Sequence, residues 1–179
     1  MTLPFELDYW EGAEVHQWRA LWGVPRLHVL GLTGSTNDVV RRLAEQGAPA
    51  MTIVIANQQT AGRGQHGRAW QGMPGKSLHL SALLRPAAIE HLPAAPVRIG
   101  LYTARALADI GVANVQIKWP NDLVIKRRKL GGILCESVSG AQSFMVAGIG
   151  INVLHLPDDF DPELRDAATS LAMQGVAPG

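Results

Sequence analysis

The chain has 179 residues, 47% hydrophobic and 17% charged, with a net charge of +1. That length and balance describe one folded domain, or one with a small appendage, and exclude a disordered tail and a broadly basic nucleic-acid binder. The single cysteine, Cys135, excludes an intramolecular disulfide, and no Cys/His cluster has zinc-ligand spacing.

Residues 1–26 carry Trp10, Trp18 and Trp22, the last two at helical i, i+4 spacing. They predict a helical extension whose indoles pack on the domain. "RLHVLGL" (26–32) reads as a strand. "STNDVVRRLAEQG" (35–47) reads as a helix, with Ser35 and Thr36 offering N-cap oxygens, Asp38 in the first turn and Gly47 as the stop. "MTIVIAN" (51–57) is a buried strand, and a glycine-rich stretch, "QTAGRGQHGRAW" (59–70), follows. "SLHLSALL" (77–84) alternates as a strand does. After a proline-bearing segment, 97–110 has helical periodicity ended by Gly111.

"VQIKW" (115–119) and "LVI" (123–125) read as short strands around a "PND" turn, and "KRRK" as a basic turn. "GILCESV" and "QSFMVAGI" flank "SGA", a hairpin signal. "PELRDAATSLAMQ" (162–174) is expected to begin a helix. Strands outnumber helices, and βαβ alternation fails after residue 115. The fold class expected is therefore α+β (mixed α/β), one largely antiparallel mixed sheet with helices packed against it, rather than a doubly wound parallel sheet.

Three stretches carry chemistry. In the first, Gly62, Gly64 and Gly67 allow positive φ and expose backbone N–H groups, and Arg63 and Arg68 add charged clamps. Such a nest suits a carboxylate or a phosphate, although a solvated basic loop has the same composition. It is neither a Walker A loop nor a dinucleotide fingerprint. In the second, "KWPNDLVI", Lys118 ends a strand before a rigid turn; it either reaches into a cleft as a point charge or lies on the surface. In the third, "VAGIGINV", Gly148 and Gly150 bare one face of a strand, for a close-approaching ligand or for a bulge. Cys135, in an apolar run, reads as core rather than nucleophile. No histidine sits in a covalent-catalysis motif.

Taken in order, "GSTN", "QTAGRGQHGRAW", "KWPNDLVI", "RKLGGIL" and "GIGINV" resemble the biotin protein ligases over about residues 28–172. The resemblance implies a fold related to class II aminoacyl-tRNA synthetases. It implies an enzyme that converts biotin and ATP, with Mg²⁺, to biotinyl-5′-adenylate, then passes biotin to a lysine of a biotin carboxyl carrier protein. The metal ligands are left unassigned. Lys118 and Arg63 are the catalytic residues it implies. Ser35, Thr36, Asn37, Gln59, Gly62, Arg63, Gly64, Gln65, Lys118, Gly148 and Gly150 would contact biotin. Arg63, Arg68, Trp70, Lys118, Asn121 and Asn152 would contact the nucleotide. The glycine-rich loop is expected to order on its ligand, because fixing it costs roughly 1–2 kcal/mol per residue.

The expected organisation is an extension, 1–26, and a catalytic domain, 27–179. No N-terminal helix-turn-helix is expected, hence no nucleic-acid binding, and no counterpart of the family's small C-terminal β-barrel. Gln65 stands where the family typically has arginine, which weakens the expected grip on the adenylate. A cytoplasmic location is expected, since no signal peptide or membrane-length apolar run is present. The family also admits a homodimer. Two other readings compete: a biotin or biotinyl-adenylate binding module with poor transfer, and a lipoate or octanoate ligase or transferase.

Overall fold

The computed structural model describes residues 3–85, 94–140 and 143–176. Part of the proline-bearing segment before the long helix, and part of the "SGA" turn, lie outside those residues. Seven strands form one sheet: β3 (Arg26–Thr33), β4 (Thr52–Gln59), β5 (Ser77–Leu84), β6 (Gln116–Lys118), β7 (Asp122–Ile125), β8 (Arg128–Val138) and β9 (Phe144–Asn152). Their order is β3-β4-β5-β9-β8-β7-β6. Only β3 and β4 run parallel, joined through helix α2 (Thr36–Glu45); every other pairing is antiparallel. This is the mixed, largely antiparallel sheet expected.

Side-chain alternation along the strands sorts the core into two faces. Val54, Ala56, Leu83 and Val146 face α2, whose Val39, Val40, Leu43 and Ala44 complete one cluster. Ile53 and Ile55, one residue out of phase, face the other way, under α1 (Val15–Trp22). Helix α3 (Ala95–Asp109) closes that second face farther along, packing Leu107 with Leu123, Ile125, Leu130 and Ile151. So α2 covers its face only at the β4–β5–β9 end, and the remainder of that face is open to a loop.

The N-terminal residues do more than supply a helix. A short hairpin, β1 (Tyr9–Trp10) with β2 (Ala13–Glu14), precedes α1. Trp10, Trp18 and Trp22 pack edge-on or tilted with centroids 6.0–6.2 Å apart, and the Trp18 indole N–H donates to the Trp10 carbonyl at 2.8 Å. Upstream of the hairpin the chain lies along the outer edge of β3. Leu7 N–H donates to Val29 O at 2.8 Å and Gly31 N–H to Phe5 O at 2.9 Å.

One element differs from expectation. Residues 162–174 form turns and a short 3₁₀ segment (Ala172–Gln174), not an α-helix. Their backbone groups are taken by the ends of β8 and β9: Lys129 N–H donates to Ala167 O, Thr169 N–H to Lys129 O, and Leu171 N–H to Asn152 O. Pairing with the sheet outweighs the local helical pattern.

At Gly131 a Cβ would stand 2.6 Å from the Gly150 carbonyl oxygen of the neighbouring strand. Backbone cannot rotate aside as a side chain can. Gly131→Ala is therefore expected to cost about 2 kcal/mol, read as a lower urea midpoint with an unchanged m-value.

Candidate active site

The open part of the α2 face is a trough. Cross-strand register sets His79, Gly150, Gly132, Asp122 and Lys118 in one row across β5, β9, β8, β7 and β6. Two adjacent glycines in the middle of that row leave the sheet bare. One step along, Ser81 pairs with Gly148.

The end of the trough beneath α2 is polar. The Thr36 N–H and hydroxyl both donate to Gln59 Oε1, at 2.7 and 3.0 Å. The orphan amide at the start of α2 is thus satisfied from β4. Ser35 occupies the N-cap position but makes no side-chain cap bond, contrary to expectation. Ser81 Oγ lies 2.7 Å from Thr36 Oγ1 and donates to Asn37 Oδ1 at 2.6 Å; Asn37 Nδ2 donates to Glu136 Oε2 at 2.6 Å. The Asn37 side chain lies over Gly148, so a Cβ there would overlap it.

The glycine-rich loop roofs the rest. Trp70 N–H donates to Gly62 O and Gly64 N–H to Arg68 O, closing a small hairpin around the 3₁₀ turn Gln65–Gly67. Only Gly67 of its first three glycines takes positive φ (72°), beside His66 at 57°. Gly64 has φ −108°, and Gly62 needs its missing side chain for room: a Cβ would lie 2.8 Å from Trp70 O. The expectation of positive φ at all three is corrected accordingly.

The loop's Trp70 lies in the trough. A Cβ on Gly150 would stand 2.6 Å from its Cε2, and one on Gly132 3.5 Å from its Cζ3. Its Nε1 is buried without a partner. With indole and Asn37 in place, the cavity along the trough is only about 40 Å³, far below the roughly 300–1,000 Å³ of a small-molecule site. It opens beside a second cavity of about 930 Å³ under the 152–168 segment, and Gln59, Trp70 and Asn121 line both.

Arg63 is turned toward acids. Its guanidinium makes a two-pronged pair with Asp38, at 2.6 and 2.8 Å, and approaches Glu136 Oε2 at 3.5 Å; Arg41 holds the other oxygen of Glu136. The hydrogen bonds from Arg63 hold the Asp38 carboxyl below its ordinary value of 3.8, and the pairing raises Arg63 in turn. Asp38 is depressed, so the pair is intact above pH 3.8 and loosens as pH falls below it.

The small cavity gathers Ser35, Thr36, Asn37, Gln59, Arg63, Gly148 and Gly150; the large one gathers Gly62, Gln65, Arg68 and Asn152. Gly64 and Lys118 line neither, and Lys118 is exposed. Asn152 is buried and donates to Thr169 O at 3.0 Å, so one amide hydrogen is used within the chain. Cys135 is half-buried, and burial pushes its thiol up to about 12.

Sequence reading missed Asp122, Lys129 and His79. Lys129 Nζ pairs with Asp122 at 2.7 Å and stands 5.7 Å from the centroid of the Trp70 ring. A bulge explains the oversight. Leu123 pairs with Gly131 but Val124 with Lys129, so Leu130 is the extra residue and goes into the α3 core. Lys129 is thereby turned to the trough side, where simple alternation would not put it.

The sequence profile of the Biotin/lipoate A/B protein ligase family matches residues 29–153. The bifunctional ligase/repressor BirA of Bacillus subtilis is 36% identical over 141 residues, covering 77% of this chain and 43% of that protein. The biotin–[acetyl-CoA-carboxylase] ligase of Mycobacterium tuberculosis is 37% identical over 161 residues, covering 87% and 58%. The chain thus spans about half the length of these curated relatives. Among solved structures, a biotin protein ligase from Aquifex aeolicus in complex with biotin and ATP superimposes with a TM-score of 0.73 at 32% identity, covering 87% of this chain and 63% of that one.

Removing the acid that holds the loop tests the arrangement. Asp38→Asn leaves Arg63 only Glu136, so tryptic cleavage after Arg63 and Arg68 at pH 7.5 should rise about fivefold, matching the ~1 kcal/mol of a half-exposed ion pair. Unchanged cleavage would show that the pair does not hold the loop.

Proposed function

The chain belongs to the biotin/lipoate A/B protein ligase family, and from that premise we propose that it forms biotinyl-5′-adenylate from biotin and ATP and transfers biotin to a lysine of a carboxyl carrier protein. One observation carries the reading: a polar-ended trough and a nucleotide-sized cavity meet under one tryptophan, with a lysine ammonium at the junction.

In this reading the ureido ring of biotin sits at the α2 end, among Thr36, Asn37, Gln59 and Ser81. These groups both donate and accept, as a cyclic urea does. The aliphatic tail then runs over Gly148 and Gly150, which brings its carboxylate to Lys129. The indole of Trp70 now fills that strip, so the ligand displaces it and the loop closes again over the pair of substrates. The nucleotide occupies the larger cavity, with Arg68 and Asn152 on its walls.

The biotin carboxylate oxygen attacks the α-phosphorus of ATP, the bond to the bridging oxygen breaks, and pyrophosphate leaves. The resulting mixed anhydride is then opened by the acceptor amine, which loses a proton as AMP departs. The enzyme supplies no nucleophile. Its contribution is alignment, together with positive charge where oxygens gain negative charge. Lys129 is the cation at that place, rather than Lys118, because Lys129 faces the junction and Asp122 fixes its direction. Arg63 is the second, free to exchange Asp38 for a ligand anion.

Mg²⁺ would arrive on the phosphates, keeping several waters and needing one or two carboxylates; Asp122, Asp159 and Asp161 are the acids around that cavity. Cytoplasmic residence, homodimerisation and residues 27–179 as the catalytic unit, with 1–26 as its extension, belong to the same proposal. They are supported by the free Cys135, by the strand edge at β6, and by the contiguous sheet. No helix among the described residues is long and apolar enough to cross a membrane.

Biotin-dependent exchange of labelled pyrophosphate into ATP is the direct test. Lys129→Ala should lower it about 10²–10³-fold, and Lys118→Ala by a few-fold at most. The opposite ranking would restore Lys118 to the centre. Saturable biotin binding without exchange would reduce the chain to a binding module, and lipoate outcompeting biotin would overturn the substrate.

A further inference from the structure

Three of the buried side-chain atoms that lack a hydrogen-bond partner gather beneath the loop: His79 Nε2, Ser77 Oγ and Trp70 Nε1. His79 is 2% exposed, and its Nδ1 lies 3.2 Å from the Ala56 carbonyl oxygen. A carbonyl oxygen only accepts, so the ring proton is on Nδ1 and Nε2 presents a bare lone pair. Against that lone pair stands Gly72 of the loop. A Cβ on Gly72 would overlap Nε2, lie 2.8 Å from Cε1 and lie 3.0 Å from Ser77 Oγ. The loop is seated on a histidine nitrogen through a position that admits no side chain.

We infer that His79 is a positioning residue for the loop: it seats Gly72, and with it the Trp70 segment, only while Nε2 carries no proton, so that protonating His79 lifts the roof from the trough. A proton on Nε2 would point at a C–H group, no acceptor, the Ser77 hydroxyl included, being hydrogen-bonded to it, and a buried cation without one is costly. Among the described residues nothing nearby supplies a free counter-charge. β4 contributes the Ala56 carbonyl, already used, and β9 contributes Gly150. The cations about the slot are Arg63 and Arg68 on the loop, Lys129 on β8 and Lys76, with His155 beyond β9. The acids facing them are paired: Asp38 and Glu136 with Arg63 and Arg41, Asp122 with Lys129, Asp159 with Lys76. Burial first, and then His155, push His79 below its ordinary value of 6.5.

The sign follows from those relations. The seated loop requires neutral His79 and the lifted loop exposes Nε2 to water, so lifting gains a proton. The contribution of His79 to closure is present in full above pH 6.5 and weakens as pH falls below it, by about tenfold one unit lower where the seated ring stays neutral. The inference rests on the reading of residues 62–72 as the roof of the site. Its test needs no biotin and no ATP, so its failure would leave the ligase reading standing.

Hydrogen exchange of the full ligand-free chain at pH 7.5 and 5.5, corrected for intrinsic rates, reads the loop and the core separately. Protection across residues 62–73 should fall about tenfold at the lower pH, while that of β4 stays constant. His79→Asn places an amide N–H where Nδ1 meets Ala56 and does not titrate, so its loop protection should be the same at both pH values. Gly72→Ala should leave the loop unprotected at both. Equal loop protection in the parent at the two pH values, or a pH-dependent loop in His79→Asn, overturns the inference. If His79→Asn does not fold, NMR titration of His79 decides: its pKa should return toward 6.5 in Gly72→Ala, and an unchanged pKa overturns it.

Discussion

The bare strip at Gly132 and Gly150 is the constraint on which the site depends. Two facing glycines in neighbouring strands remove the side chains that would otherwise fill the space between sheet and loop. Every other device is arranged around that gap: polar groups at the α2 end, an indole laid across the strip, a lysine at its margin. A methyl group on Gly150 would collide with Trp70, so the seat of the indole depends on the same gap. Glycine in a strand interior weakens the strand. Here β9 is compensated by full pairing on both sides, with β5 and with β8.

Charge is handled by pairing until it is wanted. Arg63 rests on Asp38, Lys129 on Asp122, Lys76 on Asp159. These pairs are partly exposed and add little to stability. Their use is directional: Asp38 and Asp122 hold the long side chains of Arg63 and Lys129 at a cavity wall with their heads oriented. In the proposed reading, a carboxylate or phosphate at the site exchanges one anion for another, instead of ordering a free cation from solvent.

Much of this was legible in the residues themselves. The apolar run of β4 and the alternation of β5 each follow one local rule, and the structure obeys it; α2 starts where expected, although Gln59 rather than a cap side chain satisfies its first amide. The failures share a cause. Residues 162–174 have a helical pattern, but the ends of β8 and β9 capture their backbone. Lys129 falls on the wrong side by counting in twos, because Leu130 is an extra residue. Arg63 has the chemistry of an anion clamp, yet two acids distant in sequence hold it. Each depends on contacts between segments far apart along the chain, which composition and spacing do not encode. His79 was missed for a plainer reason: in an alternating strand it passes for filler, and only the glycine pressed against its nitrogen marks it.

The N-terminal strap along β3 has a consequence for how copies of this molecule meet. An unguarded sheet has two sticky ends, and with both ends available edge-to-edge addition continues without limit. Phe5–Leu7 occupy hydrogen-bonding groups along the β3 edge. A further strand can be added there only after the strap has been peeled away, so its adhesion guards that edge against fibrous growth.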